Sequence, residues 1–163
     1  MEENIVQIKR IDSIKLKLVD EQGEATGEYL YVKVKDVEAP IRLQKLYDDT
    51  IKITNEFRDT IKIIEKKQDH EIKGKIFTAN QQAQYDALKE YYKKRVDIYN
   101  MFLGENGVQK LLNGQQITWD AFDWLDEVID KQIAPHIDTT FKGMINKIRE
   151  KYKVNIKEND VLE

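Results

Sequence analysis

Carboxylates recur at steps of three or four along one stretch of the chain: Asp120, Asp123, Asp126 or Glu127, and Asp130. On a helix that spacing puts them along one side, where they can gather a divalent cation or dock a basic partner. A single helix does not fold its own carboxylates around one ion, so the favoured reading is a solvated face and no metal ligand is assigned. The two histidines, His70 and His136, stand in no His-x-x-x-His or Glu-x-x-His pattern. His70 lies between Asp69 and Glu71 in a polar stretch and His136 follows Pro135, so neither has the neighbours that a metal site needs. The chain has no cysteine, which removes thiolate ligands, disulfides and a Cys nucleophile together and fits a reducing compartment. No glycine-rich phosphate loop or nucleophile elbow occurs either. The residues therefore nominate no catalytic group, no cofactor and no metal site, and the expectation is a protein that is not an enzyme.

Composition points the same way. The chain has 163 residues, which suits one domain, or one domain with a small appendage, and is long enough to bury a real core. Its hydrophobic fraction is 40% and its charged fraction 35%, a mix that suits exposed helices better than a compact enzyme. Two prolines and seven glycines leave little for loops, so long regular elements are expected. Lys142, Lys147, Arg149, Lys151 and Lys153 form a basic stripe that can touch phosphates or an anionic membrane. The net charge of −3 makes lysines placed at a helix end the better account, so neither nucleic acid nor membrane is expected as a partner. Met1-Glu2-Glu3-Asn4 lacks the basic start of a secretory signal and no run approaches the ~20 apolar residues of a membrane span. A soluble, intracellular protein is the expectation.

From Ile5 to Lys35 the hydrophobic period is two. Ile14, Leu16 and Leu18 alternate with Lys15 and Lys17, and Leu30, Val32 and Val34 alternate with Tyr31 and Lys33, which predicts two half-buried strands. Gln22 to Gly27 supplies the turn, and Ile5-Val6-Gln7-Ile8 is read as a possible third strand because a lone hairpin is marginal in water. One face of this sheet is apolar and needs a cover from the helices or from another subunit; the other is lined with lysine.

After Pro40 the period becomes helical. Leu43, Leu46, Tyr47, Ile53, Phe57, Ile61 and Ile64 predict a first helix over Ile41 to Lys67, with Thr50 and Thr54 interrupting its stripe. Gln68 to Thr78 is read as a connection broken at Gly74. A second helix from Ala79 or Asn80 carries Tyr85, Leu88, Tyr92, Val96, Tyr99 and Phe102 or Leu103, a tyrosine-rich side that either packs on the first helix or meets a partner. Thr118 caps a third helix, with Asp120 in its first turn. That helix is apolar over a wide arc, Trp119, Ala121, Phe122, Trp124, Leu125, Val128, Ile129 and then Ile133, so it is either a contact surface or a core helix covered on both sides. Pro135 should kink or end it near Ala134, after which Ile137, Phe141, Met144, Ile145, Ile148 and Tyr152 resume a stripe. The fold class is α+β, mainly α: an N-terminal antiparallel β-hairpin or three-stranded meander over residues 1–36, a bundle of three to five long amphipathic helices over 37–153, and a flexible tail at 154–163.

Between the second and third helices, Met101-Phe102-Leu103-Gly104-Glu105-Asn106-Gly107-Val108-Gln109-Lys110-Leu111-Leu112 stops one helix and starts another. Gly104 sits where a left-handed cap is expected, Asn106-Gly107 is turn chemistry, and Val108, Leu111 and Leu112 give a short apolar side. From Met101 to Ile129, this turn and the helix beginning Trp119-Asp120-Ala121-Phe122 resemble the tail assembly chaperones of long-tailed (siphovirus-type) bacteriophages and prophage-derived tails. Members of that family carry an aromatic-hydrophobic-Gly-Glu turn, a Gly-x-x-Lys-Leu step and then a helix rich in aromatic residues.

The resemblance implies a chaperone in the cytoplasm of the bacterial host. Such proteins coat the tape-measure protein, keep its apolar helices from aggregating, recruit tail-tube subunits and then leave. Shielding a long apolar helix requires an exposed groove of aromatic and aliphatic side chains. On that basis Tyr92, Tyr99, Phe102, Leu103, Leu111, Leu112, Trp119, Phe122 and Trp124 are assigned to partner contact, Gly104 and Gly107 to the turn, and a homo-oligomer stays open. The alternatives are a structural minor tail or connector protein of the same kind of particle, and a small cytosolic DNA-binding regulator using the basic end.

Overall fold

The structure, a computed structural model, describes residues 2–152. Among them the chain forms β1 (Ser13–Val19), β2 (Ala25–Lys33), α1 (Ala39–Glu65), α2 (Ala79–Leu103), α3 (Gly107–Leu112), α4 (Trp119–Val128) and α5 (Ala134–Tyr152), with a π-helical turn at Ile129–Ile133 joining the last two. The fold is α+β and mainly helical, with an antiparallel two-stranded hairpin ahead of the helices. Two compact units result: Ile41–Gln115 holds nearly all of α1 with α2 and α3, while the hairpin groups with residues 116–152. The expected tail at 154–163, and Lys153 of the basic stripe, lie outside the described residues.

Alternation is what makes the hairpin two-faced. Leu16 pairs with Leu30 and Ile14 with Val32, so these side chains share one face, while Lys15 opposite Tyr31 and Lys17 opposite Tyr29 share the other. Leu30, Val32 and Val34 are buried; Ile14, Leu16 and Leu18 are half-buried. On the outer face Lys15 Nζ lies 4.0 Å from the centre of the Tyr29 ring, and the Arg10 guanidinium 4.1 Å from that of Tyr31. The turn comes earlier than expected, at Asp20 to Glu24. Asp20 Oδ1 accepts from the N–H groups of Gln22 and Glu24, both at 2.9 Å, and Gly23 takes φ +80°. Thr26-Gly27-Glu28 then bulge opposite the single Leu18, since Lys17 pairs with Tyr29 and Val19 with Ala25. The possible third strand does not form: residues 2–10 lie in no strand.

In α1, Thr50 and Thr54 turn out not to interrupt the stripe. Each donates its hydroxyl to the carbonyl four residues back, Leu46 and Thr50, at 2.7 Å, which satisfies a polar group on a half-buried side. Because Thr54 has spent its proton on Thr50, the 2.8 Å contact between Thr54 Oγ1 and the Tyr91 hydroxyl has Tyr91 as donor. The Phe57 and Tyr91 rings stack at 4.8 Å, fixing α1 on α2.

The connection from α1 to α2 is built on Asp69. Its carboxylate accepts from the N–H groups of His70 (2.8 Å) and Asn80 (2.9 Å) and from Thr78 Oγ1 (2.7 Å), and Asn80 Nδ2 donates to the Lys67 carbonyl at 2.9 Å. Thr78 caps α2, and Gln81 returns the bond to the Thr78 N–H, closing a capping box. Gly74, at φ +77°, makes the break expected of it.

The helical pattern changes just before Pro135, near Ala134 where a kink or end was expected. The chain passes through the π turn, where the Ala134 N–H reaches back five residues to the Ile129 carbonyl, and Pro135 enters α5 in its first turn. The wider turn also has a packing consequence. Ile129, Ile133 and Ile137 are all buried at steps of four; an α-helix carries each such step about 40° past a full turn, and the π turn takes up the excess.

Candidate binding surface

The buried side of α2 is Tyr91, Arg95, Tyr99, Phe102 and Leu103. The stripe expected through Tyr85, Leu88, Tyr92 and Val96 is rotated from it by about one residue: Tyr85 and Leu88 are exposed, and Tyr92 and Val96 half-buried. Residues 91, 95, 99 and 102 recur as regularly as 85, 88, 92, 96 and 99, but Arg95 reads as a solvent residue. It is instead buried, with Nη2 donating to the Tyr99 hydroxyl at 2.8 Å and its guanidinium 5.5 Å from the Tyr99 ring centre.

Four of the residues expected to contact a partner, Tyr99, Phe102, Leu103 and Phe122, are buried in the chain itself, because the helix faces carrying them are turned inward. Leu111 and Leu112 are half-buried on α3. Only Trp119 (54% exposed) and Trp124 (42%) stand well out in water, and Trp119 lies edge-on to buried Phe122 at 6.3 Å. The two glycines of the central turn divide its work unequally. Gly104 takes φ 102°, ψ 171°, an open conformation and not the left-handed cap expected, while Gly107 opens α3 without a positive φ. The left-handed residues are Asn106 (φ 56°) and Asn113 (φ 49°). Asn100 holds the turn from α2, its Oδ1 accepting from the Val108 N–H at 2.8 Å and its Nδ2 donating to Gln109 Oε1 at 3.0 Å.

Along the α1–α2 seam three depressions adjoin one another, of about 90, 310 and 140 Å³. The first and second share Asp49 and Ile98; the second and third share Ile53, Glu56 and Lys94. They make one trough, running on α1 from Arg42 to Thr60, about 27 Å at 1.5 Å per residue. Leu46, Phe102, Ile98, Ile53, Phe57 and Tyr91 make an apolar floor. The rims alternate in sign: Lys45, Asp49, Lys52 and Glu56 on α1, and Glu90, Lys94 and Asp97 on α2. Ile98 was not singled out in the sequence, although it shares the period of Tyr91 and Phe102.

The residues with chemical potential are spread elsewhere. Asp120 sits in the first turn of α4, and Glu127 pairs with Lys131, whose ammonium holds that carboxyl below the usual range. His70 and His136 are exposed. Among the described residues no group of three or more His, Asp or Glu is placed to hold a metal ion. Lys142 pairs with Asp138 at 3.0 Å on α5, where the apolar stripe is buried at Ile137 and exposed from Phe141 onward at Ile145 and Ile148. No described helix is long and apolar enough to cross a membrane. Compared with known proteins, the chain matches no protein family, no curated protein and no solved structure.

Proposed function

We propose that this protein is a non-catalytic assembly chaperone of the phage-tail type, which shields an amphipathic helix of the tape-measure protein in the trough between α1 and α2 and helps to recruit tail-tube subunits in the host cytoplasm. The observation that carries the reading is the trough itself. An apolar floor about 27 Å long accommodates roughly five turns of helix, and charged rims of both signs suit the polar flanks of such a helix. The segment of family resemblance supports it, since Phe102 lies in that floor and Met101 at its lip. A structural minor tail or connector protein is the second reading, favoured by a hairpin whose outer edges pair with no further strand among the described residues.

Co-expression with a tape-measure protein tests the proposal. The wild type should keep that protein soluble, Ile53→Asp should release it, and Trp124→Asp on α4 should not. If Trp124→Asp alone releases it, the surface lies on α4; if the wild type fails to bind, the chaperone reading falls. Thermal melts of both variants separate lost binding from lost folding.

A further inference from the structure

The segment before β1 has the pattern of a strand without being one. Val6-Gln7-Ile8-Lys9 alternates apolar and polar residues as Ile14-Lys15-Leu16-Lys17 does in β1. Yet Ile5, Val6 and Ile8 are 88%, 85% and 93% exposed, and no strand among the described residues pairs with them. β-branched side chains in a row favour a pleated, covered surface, so these residues suit a strand that the isolated chain does not complete.

The chain's own sheet is a poor place for it. Returning antiparallel onto β1 of the same chain with Lys9 opposite Ser13 leaves the three-residue loop Arg10-Ile11-Asp12, whose last residue would be left-handed, and Asp12 does not take a positive φ. Asp12 is tied elsewhere: its carbonyl accepts from the Val34 N–H at 3.0 Å and the Lys35 N–H at 3.1 Å. Arg10 lies over Tyr31 of β2. Both ties draw the root of the segment toward β2 and away from the outer edge of β1. That edge pairs with no other strand among the described residues, and Ile14, Leu16 and Leu18 along it are less covered than Leu30 and Val32.

We propose that residues 5–9 pair antiparallel with the outer edge of β1 in a second copy of this chain, each copy lending its segment and receiving the other's. Placing Val6 opposite Leu16 and Ile8 opposite Ile14 extends the apolar face by one strand. The same register sets Gln7 opposite Lys15 and Lys9 opposite Ser13, so no lysine faces a lysine. A slip by one residue would turn Gln7 and Lys9 onto the apolar face, which specifies the register. Reciprocal exchange closes as a two-fold dimer, and its small strand interface makes that dimer weak and dependent on concentration.

The inference stands apart from the chaperone reading and is tested on the free, full chain. Sedimentation equilibrium over a micromolar series should show the mass rising from that of one chain to that of two. Ile8→Pro, which removes a ladder N–H from an exposed segment, should raise the dimer dissociation constant about tenfold or more with an unchanged circular dichroism spectrum. Because the chain has no cysteine, Gln7→Cys chains mixed with Lys15→Cys chains should join into disulfide-linked heterodimers on oxidation. A wild type that stays monomeric throughout the series overturns the proposal and leaves the segment to a strand of a different protein. A dimer that Ile8→Pro leaves intact overturns it as well, since it must use another surface.

Discussion

Asp69 shows how one exposed carboxylate can hold a helix start. The Asn80 N–H, the Thr78 hydroxyl and the His70 N–H all donate to its ionised form, and together they hold its pKa below the ordinary 3.8. A pKa lower in the folded than in the unfolded chain stabilises the fold above the ordinary value, and that stabilisation is lost as the pH falls through the lowered one. Protection of the Asn80 amide, relative to its intrinsic exchange rate, should thus be lost in acid for the wild type, and already be lost at neutral pH for Asp69→Asn. Tyr91 offers a second residue-level test. Tyr91→Phe keeps the ring stacked on Phe57 but removes the donor to Thr54, and should cost about 0.5–1.5 kcal/mol in urea unfolding.

Among the elements, the π turn between α4 and α5 joins a backbone constraint to a packing demand. Pro135 removes an N–H, and the wide turn lets Ile129, Ile133 and Ile137 share the buried side. Ile133→Ala should therefore cost about 2–5 kcal/mol by opening a cavity, measured by denaturant unfolding. The turn between α2 and α3 makes the opposite kind of prediction, since there conformation outweighs contact. Asn106 is exposed and left-handed, so Asn106→Val should cost about 1–2 kcal/mol whereas Asn106→Gly should be close to neutral.

For the whole molecule, the proposed docking of a helix in the trough makes magnitude decide which part of it matters most. Exposed rim charges contribute about 0–1 kcal/mol per pair, and salt screens them. A carboxylate set into the apolar floor loses more, because an unpaired charge must be desolvated for a helix to dock. Ile53→Asp should then weaken helix binding well beyond the effect of Lys52→Glu with Lys94→Glu, and only the latter effect should shrink as salt is raised; titration calorimetry reads both.

The amino-acid sequence by itself determined the elements. Period two marked β1 and β2, period 3.6 marked α1, α2 and the last helices, and Thr118 and Gly74 fell where a cap and a break were expected. These are local signals, carried by the backbone preferences and spacing of neighbouring residues. Tertiary structure decided which faces turn inward. Tyr91 and Arg95 lie on the buried side of α2 because the Tyr91 ring stacks on Phe57 and its hydroxyl bonds Thr54, 37 residues away in the chain. Tyr99, Phe102, Leu103 and Phe122 look alike in sequence whether they serve a core or a partner, and only packing separates them. The strand pattern at Val6 to Lys9 was legible, but strand formation needs a second strand's N–H and C=O groups, and no strand among the described residues lies beside that segment.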